Sequence, residues 1–201
     1  MATKDFNIYS VYDMEIQTIC EEFISSLGLS YFHFRRNFKD GTFFVLSNKS
    51  DILMDFINGK AKEINYHASQ SIHQSLVHFW DEILSEELMQ VTREKHSLHH
   101  GITILERYKD HFDCFAFAMP KPLSSPTSYY LQHFRDLKRF CQNFPLLAHN
   151  IINSNNIERI RLEDFQLSNH KFLFLPERSC RIELTSESNH YITTYELLCM
   201  Q

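Results

Sequence analysis

The stretch Gly101–Met119, GITILERYKDHFDCFAFAM, constrains this chain more than any other. It reads as two strands joined by a tight turn at Lys109-Asp110-His111. In the second strand Phe115 and Phe117 share one side, while Cys114, Ala116 and Ala118 share the other. A period of two marks a strand, because successive side chains leave the pleated backbone on opposite faces. In the first strand Ile102, Ile104 and Tyr108 take one face. The large residues ask for a thick apolar layer against them. The small ones let something approach the backbone closely: a packed helix, or a ligand lying between sheet and helix.

The rest of the chain is rich enough to supply those layers. Its 201 residues suit one domain plus an appendage. With 43% hydrophobic residues and 18 Phe, a full core forms without covalent staples. A net charge of −5 excludes a chain that grips nucleic acid by its bulk charge. The 5 Cys are widely spaced and hold no CxxC, as expected of reduced thiols. The opening MATKDFNIYS carries no apolar leader, and no apolar run reaches the roughly 18 residues of a membrane helix. The expected location is the cytoplasm.

Along the chain, Ser10–Asp13 reads as a helix start, followed by Ile16, Ile19, Cys20, Phe23 and Leu27 on one helical face and Gly28 as the stop. Tyr31–Asn37 and Phe43–Ser47 read as strands around an Asp40-Gly41 turn. Ser50 caps a helix over Asp51–Asn58, and residues 60–79 read as a short helix plus loop. Trp80 opens a helix that runs to about His96, ahead of the central hairpin. Ser125 and Pro126 start another helix, with Leu131, Phe134, Leu137, Cys141 and Phe144 as its stripe and Pro145 as its interruption. Asn153–Asn156 reads as a boundary, and Ile157–Phe165 as a possible helix. The predicted fold is α/β (α+β): an antiparallel sheet of about five strands with helices on both faces, in the layered manner of PAS and GAF sensory domains. The predicted domains are 1–152 for sensing and 153–201 for a linker leading outward.

Catalytic chemistry finds no foothold. The chain has no GxSxG, HExxH, GxGxxG or P-loop. His96, His99 and His100 stand at helical metal-ligand spacings, but no Cys or carboxylate lies within the cluster, and a helix C-terminus suits histidine by itself. No enzyme, metal or cofactor is expected. Other residues stand out as pocket candidates. Ile52 and Phe56 lie four apart, Asn65 has a side-chain amide that needs a partner if buried, and Trp80 is the only Trp.

The stretches GLSYFHFRRNFKDGTFFVLSNKSDILMDF and HHGITILERYKDHFDCFAFA resemble the N-terminal sensory domain of LuxR-family transcription regulators, in a divergent branch. The resemblance spans roughly residues 15–150, and the HGIT hairpin is its most specific part. It implies that Ile52, Phe56, Asn65 and Trp80 occupy the family's ligand-contacting positions, with only Trp80 and Gly101 keeping the family residue. Where the family has an indole, a phenol and a carboxylate to hold an acyl-homoserine lactone, this chain has Ile52, Phe56 and Asn65. The implied ligand is therefore a more apolar, lipid-like small molecule, lined also by Gly101, Cys114 and Ala116 from the hairpin. The Leu131–Phe144 helix is the implied homodimer contact. The tail Ile192–Met200 resembles the opening of the LuxR-type helix-turn-helix, which implies that DNA is met only through a domain not in this chain. The alternative expectation is a ligand-free dimerisation module that antagonises full-length regulators.

Overall fold

Phenylalanines at alternate strand positions build the main core. The computed structural model describes residues 10–55, 77–84, 86–154, 157 and 159–161. Its strands are β1 (Tyr31–Phe38), β2 (Thr42–Ser47), β3 (Val77–Phe79), β4 (His99–Arg107), β5 (His111–Met119) and β6 (Ile160–Arg161). They form one antiparallel sheet in the order β3-β4-β5-β1-β2-β6. The helices are α1 (Asp13–Ser26), α2 (Ser50–Asp55), α3 (Trp80–Ile83), α4 (Glu86–His96), α5 (Pro126–Gln132), α6 (Phe134–Leu147) and α7 (His149–Ile152). The expected α+β architecture, with an antiparallel sheet and helices, is the one observed.

One sheet face carries Phe32, Phe34, Phe115, Phe117, Ile102 and Ile104, all at most 1% exposed. Ile16, Cys20 and Ile24 of α1 and Leu137, Cys141 and Phe144 of α6 close over them. Phe32 and Phe144 lie 4.6 Å apart by ring centroid, and Phe23 stacks on Phe140 at 4.1 Å. Each fully buried ring contributes about 1.5–3 kcal/mol relative to exposure. The α6 stripe thus serves this chain's own sheet. The large apolar residues that α6 leaves outward are Leu146 and Leu147, 74% and 58% exposed.

The same face ends in a charged row. Arg36 donates through Nε and Nη2 to the two oxygens of Asp113, both at 2.8 Å. The Asp113 side chain is fully buried, so the fork of the guanidinium replaces its lost water. In register beside Asp113 stands Glu106, which accepts from Lys138 of α6.

Several expectations change. Residues 60–79 are expected to form a short helix plus loop, yet Val77, His78 and Phe79 pair with Ile104, Thr103 and Ile102 as an edge strand. Three residues are too few for periodicity to register. Ile160–Arg161 fall in a stretch read as helical, but they pair with Thr42 and Phe43. The helix expected from Trp80 to His96 is two helices, α3 and α4. The helix from Pro126 divides at His133, because Tyr129 and Tyr130 are each tied elsewhere: their hydroxyls donate to the carbonyls of Leu27 and His100, both at 2.5 Å. Pro145 lies inside α6 rather than breaking it; so near the C-terminal end it removes a single helical N–H. In the first hairpin only Gly41 takes a positive φ, +80°. Asp40 acts through its carboxylate instead, accepting from the backbone N–H and hydroxyl of Thr42 at 2.9 and 2.6 Å.

Candidate ligand-binding face

The opposite sheet face is built for something smaller. Ile52 reaches it from α2, whose start is fixed by two side chains. Asn48 accepts from the Phe32 N–H at 2.8 Å and donates to Gln17 and the Ser30 carbonyl. The Asp13 carboxylate accepts from both the N–H and the hydroxyl of Ser50, at 3.0 and 2.8 Å. Ile52 is thereby buried at 0% exposure.

Trp80 follows β3 directly as the first residue of α3, so pairing of β3 with β4 sets its ring down on β4. The indole lies flat against Gly101: a Cβ there would stand 1.9 Å from Trp80 Cδ2. Its Nε1–H donates to Thr103 Oγ1 at 3.2 Å, and its ring meets Tyr31 edge-on at 5.9 Å. Trp80, Tyr31, Ile52, Met89, Leu98, Ala116 and Ala118 form a second buried cluster, separate from the phenylalanine core. At Gly101 the β4–β5 register shifts between His99 and Ile102, and His100 is held at φ 47°. The Tyr130 hydroxyl on the His100 carbonyl and the His100 ring on Asp81, at 3.3 Å, pin this strained residue.

Of the seven residues expected to line a ligand, the structure brings together Ile52, Trp80, Gly101 and Ala116. The space over Gly101 is filled by the indole, and the indole N–H is already used by Thr103. Trp80 therefore offers a wall and not a donor. Cys114 shares the sheet face but belongs to a different small cluster, with Leu105 and Phe112. Its thiol accepts from Asn37 Nδ2 at 3.6 Å, and burial pushes its pKa up to about 11. Phe56 and Asn65 lie outside the described residues.

Sequence reasoning missed the polar members of this face. In YFHFRRNF the aromatic residues Phe32 and Phe34 go to the main core, which by strand alternation sends His33, Arg35 and Asn37 to the other side. Alternation of this kind normally means solvent. Here Arg35 is 4% exposed and Asn37 8%. Loss of hydration lowers the Arg35 pKa. It also pushes His33 down to about 3, with the Arg35 charge adding to the effect, so the imidazole is neutral at physiological pH. The Tyr31 hydroxyl and His33 Nδ1 are 3.3 Å apart.

The three clustered imidazoles part company. His96 sits 3.6 Å from Asp51, and His100 turns to Asp81. Among the described residues no group of three or more His, Cys, Asp or Glu side chains is placed to share a metal ion. No helix among them is long and apolar enough to cross a membrane.

No family model matches the chain, and no curated protein does. Among solved structures the chain is similar to a crystal structure of Escherichia coli SdiA, with a TM-score of 0.46 and 12% identity, over 77% of this chain and 64% of that one. It is also similar to SdiA in complex with octanoyl-rac-glycerol, with a TM-score of 0.39 and 13% identity, over 69% of each chain. The chain thus spans less than two thirds of the first of these.

Proposed function

We propose that this chain is a non-enzymatic sensory domain of the LuxR kind, in which a small, largely apolar signal lies between the sheet and the elements that carry Ile52 and Trp80. The observation that carries the reading is the second buried cluster. Ala116 and Ala118 form a low floor, Trp80 and Ile52 form the walls, and the cluster is walled off from the core that stabilises the fold. A floor of methyl groups beneath large walls is how a sheet makes room for a guest. The HGIT hairpin resemblance points the same way, and an octanoylglycerol complex is the kind of ligand that a structurally similar protein holds. In this reading residues 1–152 sense, 153–201 lead to a transcriptional output supplied elsewhere, and the protein works as a cytoplasmic homodimer.

The test is thermal shift and native mass spectrometry with monoacylglycerols and acyl-homoserine lactones. Binding should add a mass of one ligand per protomer and raise the Tm. Ala116→Leu, which fills the floor, should abolish both. A panel in which no compound adds mass or shifts the Tm sinks the reading.

A second reading, a ligand-free dimerisation module that antagonises full-length regulators, is favoured by one observation. Apolar side chains stand exposed just before and at the start of α1 (Val11 67%, Met14 83%) and at the end of α6 (Leu146, Leu147). Between those helices a groove of about 320 Å³ is lined by Phe23, Leu27, Phe140 and Leu147 together with the polar Ser26, Asp136, Arg139 and Asn143. Sedimentation separates the two readings. Dimerisation that Leu146→Glu/Leu147→Glu abolishes, in a protein that binds none of the panel, favours the second.

A further inference from the structure

One row of the sheet crosses the binding face from β4 to β2: Thr103, Ala116, His33 and Ser47, each in register with the next. Its polar members differ in what they have left to give. Ser47 donates its hydroxyl to the Phe32 carbonyl at 2.9 Å and accepts from the Lys49 N–H at 3.1 Å. Thr103 accepts from the Trp80 indole. His33 has Nδ1 engaged, 3.3 Å from the Tyr31 hydroxyl, while among the described residues nothing is hydrogen-bonded to its Nε2. It is also half-buried, where Tyr31, Arg35, Ser47 and Ala116 around it are at most 7% exposed. Ala116 carries only a methyl group, so β5 stands low beside the imidazole, one strand spacing of about 4.8 Å away.

A neutral imidazole has one N–H, and its hydrogen-bond partner decides where. Burial and the Arg35 charge push the His33 pKa down to about 3, so the ring is uncharged at physiological pH. Phenol is the stronger acid of the pair and imidazole the stronger base. The Tyr31 hydroxyl therefore donates to Nδ1, and the ring proton stands on Nε2. We propose that His33 is a specificity-determining residue: its Nε2–H donates to a carbonyl oxygen that the signal seats over Ala116, which makes the ligand class an apolar ester, amide or ketone rather than a plain ether or hydrocarbon. The inference rests on the sensory reading above and deepens it. The walls of the site supply no such donor. Ile52 has no polar side-chain atom, and the Trp80 N–H is held by Thr103. A guest without an acceptor covers the Nε2–H and leaves it unanswered, so the donor loses its water for nothing. A carbonyl oxygen answers it, and an uncharged donor suits an uncharged acceptor.

The experiment compares octanoylglycerol with octylglycerol, an ether that has a methylene in place of the carbonyl, each below its micellar concentration. Binding is followed by calorimetry and by the fluorescence of Trp80, the only Trp in the chain. The wild type should bind the ester about tenfold more tightly than the ether. His33→Met should bring the two to within about twofold, and His33→Gln, whose amide N–H reaches a similar position, should keep most of the preference. Nitrogen NMR of the wild-type imidazole needs no variant to fold. It should find the proton on Nε2, and that nitrogen should shift with the ester but not with the ether. Equal binding of ester and ether by the wild type, a preference that survives His33→Met (the mark of a merely structural role), or a ring proton on Nδ1 overturns this inference and leaves the binding face standing. Binding of neither ligand also overturns it; binding of nothing in the wider panel above overturns the sensory reading as well.

Discussion

Gly101→Ala should damage this protein far more than an added methyl suggests. The backbone at Gly101 is not left-handed, so conformational strain plays no part and space alone decides. The new Cβ would stand 1.9, 2.3 and 2.3 Å from three carbons of the Trp80 ring. Carbons in contact need about 3.5 Å, so the indole must retreat by roughly 1.6 Å from its nearest point. It is penned by Tyr31 and tethered to Thr103, so the retreat strains the cluster and breaks the indole hydrogen bond. Overpacking of this kind costs about 1–3 kcal/mol and the lost bond about 1 more. The expected loss is about 3 kcal/mol, measured by urea unfolding followed by far-UV circular dichroism. Trp80→Leu removes the obstructing ring and should itself cost about 2–4 kcal/mol through the cavity it leaves. The double variant should be about 2 kcal/mol more stable than the sum of the single losses, because the clash exists only when both side chains are present. A Gly101→Ala protein within 0.5 kcal/mol of wild type, or strict additivity in the double variant, refutes the reasoning.

Asp113→Ala should cost about 3–5 kcal/mol by leaving Arg36 without its carboxylate, whereas Arg36→Met/Asp113→Leu should be nearly neutral; equal losses in urea unfolding would count against the pair as the cause. His33 has a folded-state pKa lowered to about 3 against 6.5, so its stabilising neutral form is fully favoured above pH 6.5 and loses ground as pH falls through that value. Between pH 7 and 5.5 this group alone should withdraw about 1.2 kcal/mol, and a His33→Gln variant should show a correspondingly shallower pH profile of unfolding. Cys20, Cys114 and Cys141 are buried with thiol pKa values pushed upward, to about 12 for Cys20, so iodoacetamide at pH 8 should leave all three unlabelled until urea is added; rapid native labelling in peptide maps would contradict their burial.

The parts of this fold that were legible in the sequence are those where periodicity and burial agree. β5 announced both faces by alternating Phe with Ala and Cys, and α1 announced its stripe through Ile16, Cys20 and Leu27. Turn chemistry at Asp40-Gly41 placed the first hairpin. What stayed hidden was anything decided by tertiary contact. β3 is too short to have a period and exists because β4 offers it an edge. Trp80 stands out in the sequence as the only Trp, but that Thr103 holds its N–H does not. The polar residues of β1 give no sign of burial in the sequence, because His, Arg and Asn are usually solvated. Only the register with β5 turns them inward, onto the same face as Ala116.

The seam between β1 and β5 has a kinetic meaning. Each hairpin closes locally, but Arg36 and Asp113, which clasp the two together, are 77 positions apart. Bringing such distant segments into register costs about 4 kcal/mol of loop-closure entropy, which the seam must recover before the sheet holds. The chain looped out between the hairpins carries α2, β3, α3 and α4, and with them Ile52 and Trp80. The candidate site therefore does not exist in either half alone; it appears only when the halves join. A guest bound there would act as a latch on the whole domain, raising global stability by RT ln(1 + [L]/Kd) and slowing unfolding rather than ordering one loop. Availability of the signal would then set how long the protein survives as well as what it reports.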